Sequence, residues 1–100
     1  MFEQLSMFDA LPTPGTWVET HGRELTFDEI VQRVGGFIVW DYSTVSHEWF
    51  KIVQVEKIVE YEGIRRIVFY DGHPQRGSCS EHFFRPLPAG CNRARAYEVA

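Results

Sequence analysis

The chain has 100 residues, of which 44% are hydrophobic and 15% aromatic, and its formal net charge is -4. This length suits a single hydrophobic core and excludes a second domain, because domains usually need roughly 100 residues or more. The ten lysines and arginines are spread along the chain, so no basic stripe predicts binding to a phosphate backbone. No apolar stretch approaches the ~20 residues that a membrane helix needs.

Residues 1–15 are predicted to form a flexible tail, and residues 16–100 a single globular domain. The last five residues of the tail have the sequence Leu-Pro-Thr-Pro-Gly, in which the prolines remove backbone donors and favour extended neighbours. This composition is typical of a linker. The chain shows no basic start followed by an apolar run and holds only two cysteines, so we expect a cytoplasmic protein.

A short strand at residues 17–20 is predicted to precede the only helix of the domain. Thr26 can cap this helix while Glu29 returns a hydrogen bond to the Thr26 amide, which is a capping box. Apolar residues then recur at helical spacing and predict about two and a half turns, ended by Gly35. These apolar residues are Phe27, Ile30, Val31 and Val34.

Two segments rich in β-branched and aromatic residues follow the helix, at residues 37–42 and 47–61. The second segment carries apolar residues on both phases of a strand. Either both of its faces are covered, or a bulge near residues 54–57 changes its register. We therefore predict two antiparallel strands, the second unusually long.

A tight turn at residues 61–63 predicts a hairpin between the long strand and a further strand at residues 64–70. Residues 71–77 are rich in turn formers and are predicted to form an exposed loop. One helical turn at residues 80–84 and a closing edge strand at residues 94–99 complete the predicted elements.

The predicted order is a strand, a helix and four further strands. Three long, twisted strands with one helix and a returning C-terminal strand would leave one face of a flat open sheet uncovered. We therefore predict a β-rich α+β fold. Its expected form is a small half-open antiparallel barrel, SH3-like or similar, with the helix between the first and second strands.

Residues 4–8 have the sequence Gln-Leu-Ser-Met-Phe, the clearest interaction motif of the chain. This pentapeptide resembles the segment with which bacterial DNA polymerases, repair proteins and related factors dock on the β sliding clamp. The resemblance covers five residues and implies an extended peptide, with Leu5, Met7 and Phe8 as apolar anchors and the Gln4 amide fixing the register. One alternative is that the same apolar side chains fold back over an open edge of their own domain, and another is that so short a motif occurs by chance.

A second candidate surface combines basic and aromatic side chains on and after the predicted hairpin. Such faces stack bases and contact phosphates in small barrels that bind single-stranded nucleic acid. The alternative is a solvated hairpin edge, on which the arginines pair with Glu56, Glu60 and Glu62 across the strands. The residues of this candidate nucleic-acid surface are Arg65, Arg66, Tyr70, His73 and Arg76.

His73, Cys79, His82 and Cys91 are residue types that zinc accepts as ligands. Only Cys79 and His82 form a compact pair, whereas structural zinc sites usually present several, so we predict no metal and no cofactor. The same pair has no recognisable orienting group or oxyanion site, so we predict no catalytic residues and a protein that is not an enzyme. The two cysteines are expected to act as small buried hydrophobes.

These observations favour a protein-interaction module of bacterial or mobile-element DNA metabolism. Its partner would be the sliding clamp or another host protein, reached through the tail. A phage-type inhibitor of a host nucleic-acid enzyme is a second form of this role. A small barrel that binds single-stranded nucleic acid is the alternative, and its affinity would fall steeply with salt. No membrane partner is expected.

Overall fold

The computed structural model describes residues 12–85 and 93–100. The predicted clamp motif and Cys91 lie outside the described residues. No helix in the described ranges is long and apolar enough to cross a membrane. The elements are β1 Trp17–Val18, α1 Phe27–Val31, β2 Phe37–Asp41, β3 Phe50–Tyr61, β4 Ile64–Tyr70, β5 Gly77–Ser80, a 3₁₀ turn Glu81–Phe84, and β6 Ala96–Tyr97.

The six strands form one antiparallel sheet in the order β5-β4-β3-β2-β6. β1 pairs with β3 next to the end of β4, with Trp17 opposite Lys51. No pairing joins β5 to β6 among the described residues, so the sheet is open and does not close into a barrel. The predicted β-rich fold, with its helix between the first and second strands, is confirmed at this level.

Side-chain packing on both faces of the sheet explains why closure is not required. On one face, Phe27 and Ile30 of α1 pack on the sheet. On the other face, Val39 is fully buried opposite Tyr97, and Ile52 is also buried. Covering both faces removes the apolar surface that barrel closure would otherwise hide. The main core consists of Leu25, Phe27, Ile30, Ile38, Trp40, Val53, Val55, Ile67, Phe69 and Ala96.

α1 begins as predicted and ends earlier. Thr26 Oγ1 accepts the Glu29 amide at 3.2 Å, and Glu29 Oε1 accepts the Thr26 amide at 2.9 Å, which confirms the capping box. The helix spans only five residues, because the Gly35 amide turns to donate to the Val55 carbonyl at 2.7 Å. The predicted length of two and a half turns was wrong, and Val34 is exposed.

A bulge in β3 confirms the register change expected near residues 54–57. Pairing with β4 shifts between Val55 and Lys57, so Glu56 is the extra residue. Val55 and Ile58 are three residues apart and would point to opposite faces of a regular strand. Because the bulge inserts one residue between them, both side chains pack against the core. The long strand therefore places apolar side chains on the core face along most of its length.

β5 was not predicted, because the predicted loop ended at Gly77, the predicted helical turn began at Ser80, and the two residues between them had no assignment. Gly-Ser-Cys-Ser has a low intrinsic preference for strand. Pairing with β4, in which Gly77 lies opposite Phe69, stabilises the strand instead. Five strands therefore follow the helix where four were expected. The helical turn is confirmed as the 3₁₀ turn with Ser80 as its N-cap. The closing strand is confirmed as the shorter β6, paired with β2.

Candidate interaction surface

The residues of the predicted nucleic-acid surface do not share one face of the sheet. Successive side chains of a strand point to opposite faces, so Arg65 lies on the helix-covered face while Arg66 and Tyr70 lie on the outer face. His73 is exposed in the loop after β4. The structure brings together Tyr70 and Arg76, whose guanidinium lies 4.4 Å from the Tyr70 ring centroid.

Arg65 is engaged in a network that joins three elements. Its Nε donates to Glu81 at 3.1 Å in the 3₁₀ turn, and its Nη2 donates to Asp28 at 2.9 Å in α1. The guanidinium also lies 5.0 Å from the Phe27 ring centroid. Hydrogen bonds from Arg65 hold the pKa of the Glu81 carboxyl below its usual value. These contacts link the helix to the sheet. They also occupy guanidinium N–H groups that would otherwise be available to a phosphate.

Two further arginines on the outer side have protein partners as well. Arg76 Nε donates to Glu56 at 2.7 Å, which is the pairing expected for a solvated hairpin edge. Arg66 donates to the Ser78 hydroxyl at 3.0 Å on the neighbouring strand. Arg76 is therefore paired with a carboxylate, whereas the hydrogen bond to Ser78 leaves the charge of Arg66 in place, and one such cation is not a concentrated basic surface.

Sequence reasoning did not identify a cluster of aromatic rings at one end of the core face. We call Trp17, Tyr42 and Trp49 the aromatic patch. The Trp17 ring centroid lies 5.9 Å from that of Tyr42 and 5.2 Å from that of Trp49, both in edge-to-face geometry. Trp17 is 51% exposed and Trp49 is 45% exposed. Two contacting tryptophans at this exposure form an unusual apolar surface feature.

The base of the aromatic patch is a paired set of polar groups. Tyr42 donates its hydroxyl hydrogen to Asp71 Oδ2 at 2.9 Å, and the Lys51 ammonium lies 3.8 Å from the same oxygen. Lys51 Nζ also lies 4.8 Å from the Trp17 ring centroid, a cation–π distance. The Lys51 ammonium is therefore already neutralised and covers one side of the Trp17 ring.

The pKa values of this set follow from its burial and its hydrogen bonds. Burial, and then the hydrogen bond to Asp71, raise the pKa of Tyr42, so its hydroxyl stays protonated. Burial acts to raise the pKa of Asp71, but the Tyr42 hydroxyl, the His73 amide and Lys51 outweigh it and lower that pKa. Asp71 is consequently a carboxylate that holds its neighbours in place.

A polar cleft of about 510 Å³ lies on the outer face of the sheet and meets the patch at the loop between β2 and β3. The two features meet at His47, which lines the cleft and whose ring lies 5.9 Å from that of Trp49. At the other side of the cleft, His21 stacks on Tyr97 at 3.8 Å, and the Tyr97 hydroxyl donates to Asp41 at 3.3 Å. The charged residues of its lining are Glu19, Asp41, Glu48 and Arg95.

No hydrogen bond joins the Cys79 and His82 side chains in the described part of the chain. The Cys79 thiol donates to the Ser80 carbonyl at 3.6 Å, and burial raises its pKa despite the nearby charge of Arg66. His82 is exposed on the 3₁₀ turn. No group of three potential ligand residues is arranged for a metal ion within residues 12–85 and 93–100.

The described chain begins at Pro12 and contacts the sheet almost at once. The Gly15 amide donates to the Ile52 carbonyl of β3 at 2.8 Å. Gly15 also lies against the backbone of Asp71 and Gly72, where β1 meets the end of β4. The segment that carries the predicted clamp motif is thus joined to the domain beside the aromatic patch.

The tryptophan content of the sequence is a signal for the aromatic patch, but composition alone does not show which tryptophans are exposed. The chain has three tryptophans in 100 residues, and of these only Trp40 is buried. Trp17 and Trp49 both stand where a predicted strand meets a polar turn, a position that favours an exposed ring. Comparison of the chain with family models, curated protein sequences and solved structures finds no match.

Proposed function

We propose that the chain is a small non-enzymatic protein-interaction module of bacterial or mobile-element DNA metabolism. It docks through its N-terminal tail on the sliding clamp or on another host protein. The observation that carries this proposal is the match of Gln4, Leu5, Met7 and Phe8 to the clamp-docking pentapeptide. An SH3-like curvature of the sheet and a cytoplasmic location remain part of the same proposal.

The attachment of the tail supports this role. Gly15 is held by β3, and Phe8 stands seven residues earlier in the chain, so an extended tail reaches up to ~25 Å from that anchor. This span allows the motif to enter a groove on a partner while the domain keeps its fold.

Two observations make the alternatives weaker. Binding of single-stranded nucleic acid would require free arginines, whereas Arg65 and Arg76 have carboxylate partners at 3.1 and 2.7 Å. An enzymatic role for Cys79 would require a reactive thiolate, and the raised pKa of this thiol disfavours that form. The inhibitor role shares the protein-binding character of the proposal and differs in its partner.

The direct test measures binding of the intact protein to purified bacterial sliding clamp by calorimetry. We expect binding in the micromolar range, and a loss of about 30-fold or more for the double variant Leu5→Ala, Phe8→Ala, because apolar anchors dominate such contacts. Leu11→Ala, in the same tail but outside the motif, is the matched control and should bind as the original chain does. Absence of binding at tens of micromolar, or equal binding by the double variant, would refute clamp docking.

A further inference from the structure

The aromatic patch has the properties of a protein-docking surface that is separate from the tail. Tryptophan and tyrosine are enriched among the residues that dominate binding energy, and rigid aromatic side chains lose little entropy on binding. The Trp17 ring already contacts the other two rings in the free protein. A partner would therefore meet a preformed surface.

The backbone around the patch supports this preorganisation. Trp17 is held by the pairing of β1 with β3. The Trp49 amide donates to the Ser43 hydroxyl at 3.1 Å, and the Tyr42 amide donates to the Trp49 carbonyl at 2.8 Å. The rings thus stand on fixed backbone and not on a free loop tip.

Charge distribution selects the chemistry of the partner. Glu19 and Glu48 are exposed on the cleft that adjoins the patch, and neither has an ion pair within the described part of the chain. Asp41 also lines this cleft, and Arg95 offsets only one of the three carboxylates. The cleft, which meets the patch at His47, therefore carries excess negative charge, and this charge attracts a basic partner.

We propose that the aromatic patch, with the adjoining cleft, binds an extended basic peptide segment of a partner protein. Proline or aliphatic side chains of the peptide would lie on Trp17 and Trp49. Its arginine or lysine side chains would reach Glu19 and Glu48. This second site goes beyond tail docking and does not depend on it.

The same geometry argues against two other ligands. A quaternary ammonium group would need the space between Trp17 and Tyr42, and the Lys51 ammonium already lies 4.8 and 5.6 Å from these ring centroids. Stacked bases of single-stranded nucleic acid need a positive groove, whereas Lys51 is neutralised by Asp71 and the adjoining carboxylates repel phosphates.

The test titrates the full chain with a synthetic peptide of three Pro-Pro-Arg repeats, following tryptophan fluorescence and binding heat. A peptide of three Pro-Pro-Gln repeats and a thymidine oligonucleotide serve as comparison probes. We expect saturable binding of the arginine peptide, weaker at higher salt, and little binding of either comparison probe. Trp17→Ala and Trp49→Ala should each weaken binding about tenfold or more.

Two controls separate docking from loss of fold. The double variant Glu19→Gln, Glu48→Gln changes only exposed side chains and should weaken binding about fivefold while unfolding as the original chain does. Tyr61→Ala removes an aromatic ring that is 77% exposed on the β3–β4 hairpin and should leave binding unchanged.

Three results would overturn the proposal. The first is equal binding by the original chain and the glutamine double variant, and the second is tighter binding of the oligonucleotide than of the peptide. The third is a change of tryptophan fluorescence in Leu5→Ala, Phe8→Ala without any peptide, because it would assign the patch to the chain's own N-terminal segment.

Discussion

Asp71 illustrates how the candidate surface depends on contacts between residues far apart in sequence. The sequence placed Asp71 in an exposed loop, because the residues after it are turn formers. In the fold its carboxylate is half-buried, and its partners are Tyr42, which follows β2, and Lys51 of β3. Neither partner lies within ten residues of Asp71, so no local pattern in the sequence announces this set.

We expect Tyr42→Phe to raise the pKa of Asp71, because the lost hydroxyl hydrogen bond favours the charged carboxylate. A lowered folded-state pKa contributes stability that is present above the unfolded value of about 3.9 and is lost as pH falls through the lower folded value. The stability difference between the original chain and the variant should therefore shrink below about pH 4.

An NMR titration of the Asp71 carboxyl carbon, with urea unfolding at several pH values, measures both effects. Tyr61→Phe is the matched control, because Tyr61 is exposed and far along β3 from this set. An unchanged Asp71 titration in Tyr42→Phe would show that the hydroxyl does not stabilise the carboxylate.

At the scale of elements, the sequence predicted well wherever local chemistry decides the structure. The capping box of α1 and the turn of the β3–β4 hairpin each depend on residues within a few positions of one another, and the β3 bulge is indicated by the change of apolar phase along β3. β5 depends on its neighbour β4 instead, and the end of α1 depends on β3. The prediction failed at both of these places, because tertiary pairing outweighs weak local preference.

The packing of β5 on the core gives an element-scale prediction. A Cβ atom at Gly77 would lie 2.6 Å from the Phe69 ring, which stacks on Trp40 at 4.6 Å. We expect Gly77→Ala to destabilise the protein by about 1–3 kcal/mol, because the buried ring must move in a packed core. Chemical unfolding followed by circular dichroism measures this change.

Ser78→Ala provides the control on the same strand, because Ser78 is exposed and its loss removes one surface hydrogen bond to Arg66. It should change stability by no more than about 0.5 kcal/mol. If Gly77→Ala were as mild as Ser78→Ala, the close packing of β5 against Phe69 would be wrong.

At the scale of the whole molecule, the sequence predicted the fold class and the place of the helix but not the topology of the sheet. An open sheet can bury its apolar side chains because other parts of the chain cover both of its faces. On the outer face, this cover includes the stacked rings of His21 and Tyr97, which come from opposite ends of the domain. The aromatic patch arises in the same way, since Trp17 lies on β1 while Tyr42 directly follows β2 and Trp49 directly precedes β3. Such a surface is a property of the topology, which hydrophobic periodicity does not specify.

The junction between β1 and β4 determines where the tail leaves the domain and how the aromatic patch is held. Gly15 and Gly72 meet there, with φ values of 93° and 90°, and a Cβ at Gly15 would lie 2.9 Å from the Asp71 carbonyl. We expect Gly15→Ala to destabilise the protein by about 2–4 kcal/mol, because left-handed strain adds to this backbone contact. β1 should detach, which urea unfolding, protease sensitivity and tryptophan fluorescence will report.

Gly63→Ala separates the two contributions, because Gly63 has a similar φ of 79° but no atom within 4 Å of an added Cβ. Gly63→Ala should lower the free energy of unfolding only by the backbone strain of about 1–2 kcal/mol, and the environment of Trp17 should not change. Gly15→Ala should additionally weaken the arginine peptide at the aromatic patch, since Trp17 follows the anchor by two residues. Equal costs and equal peptide binding in the two variants would mean that this junction does not hold the patch.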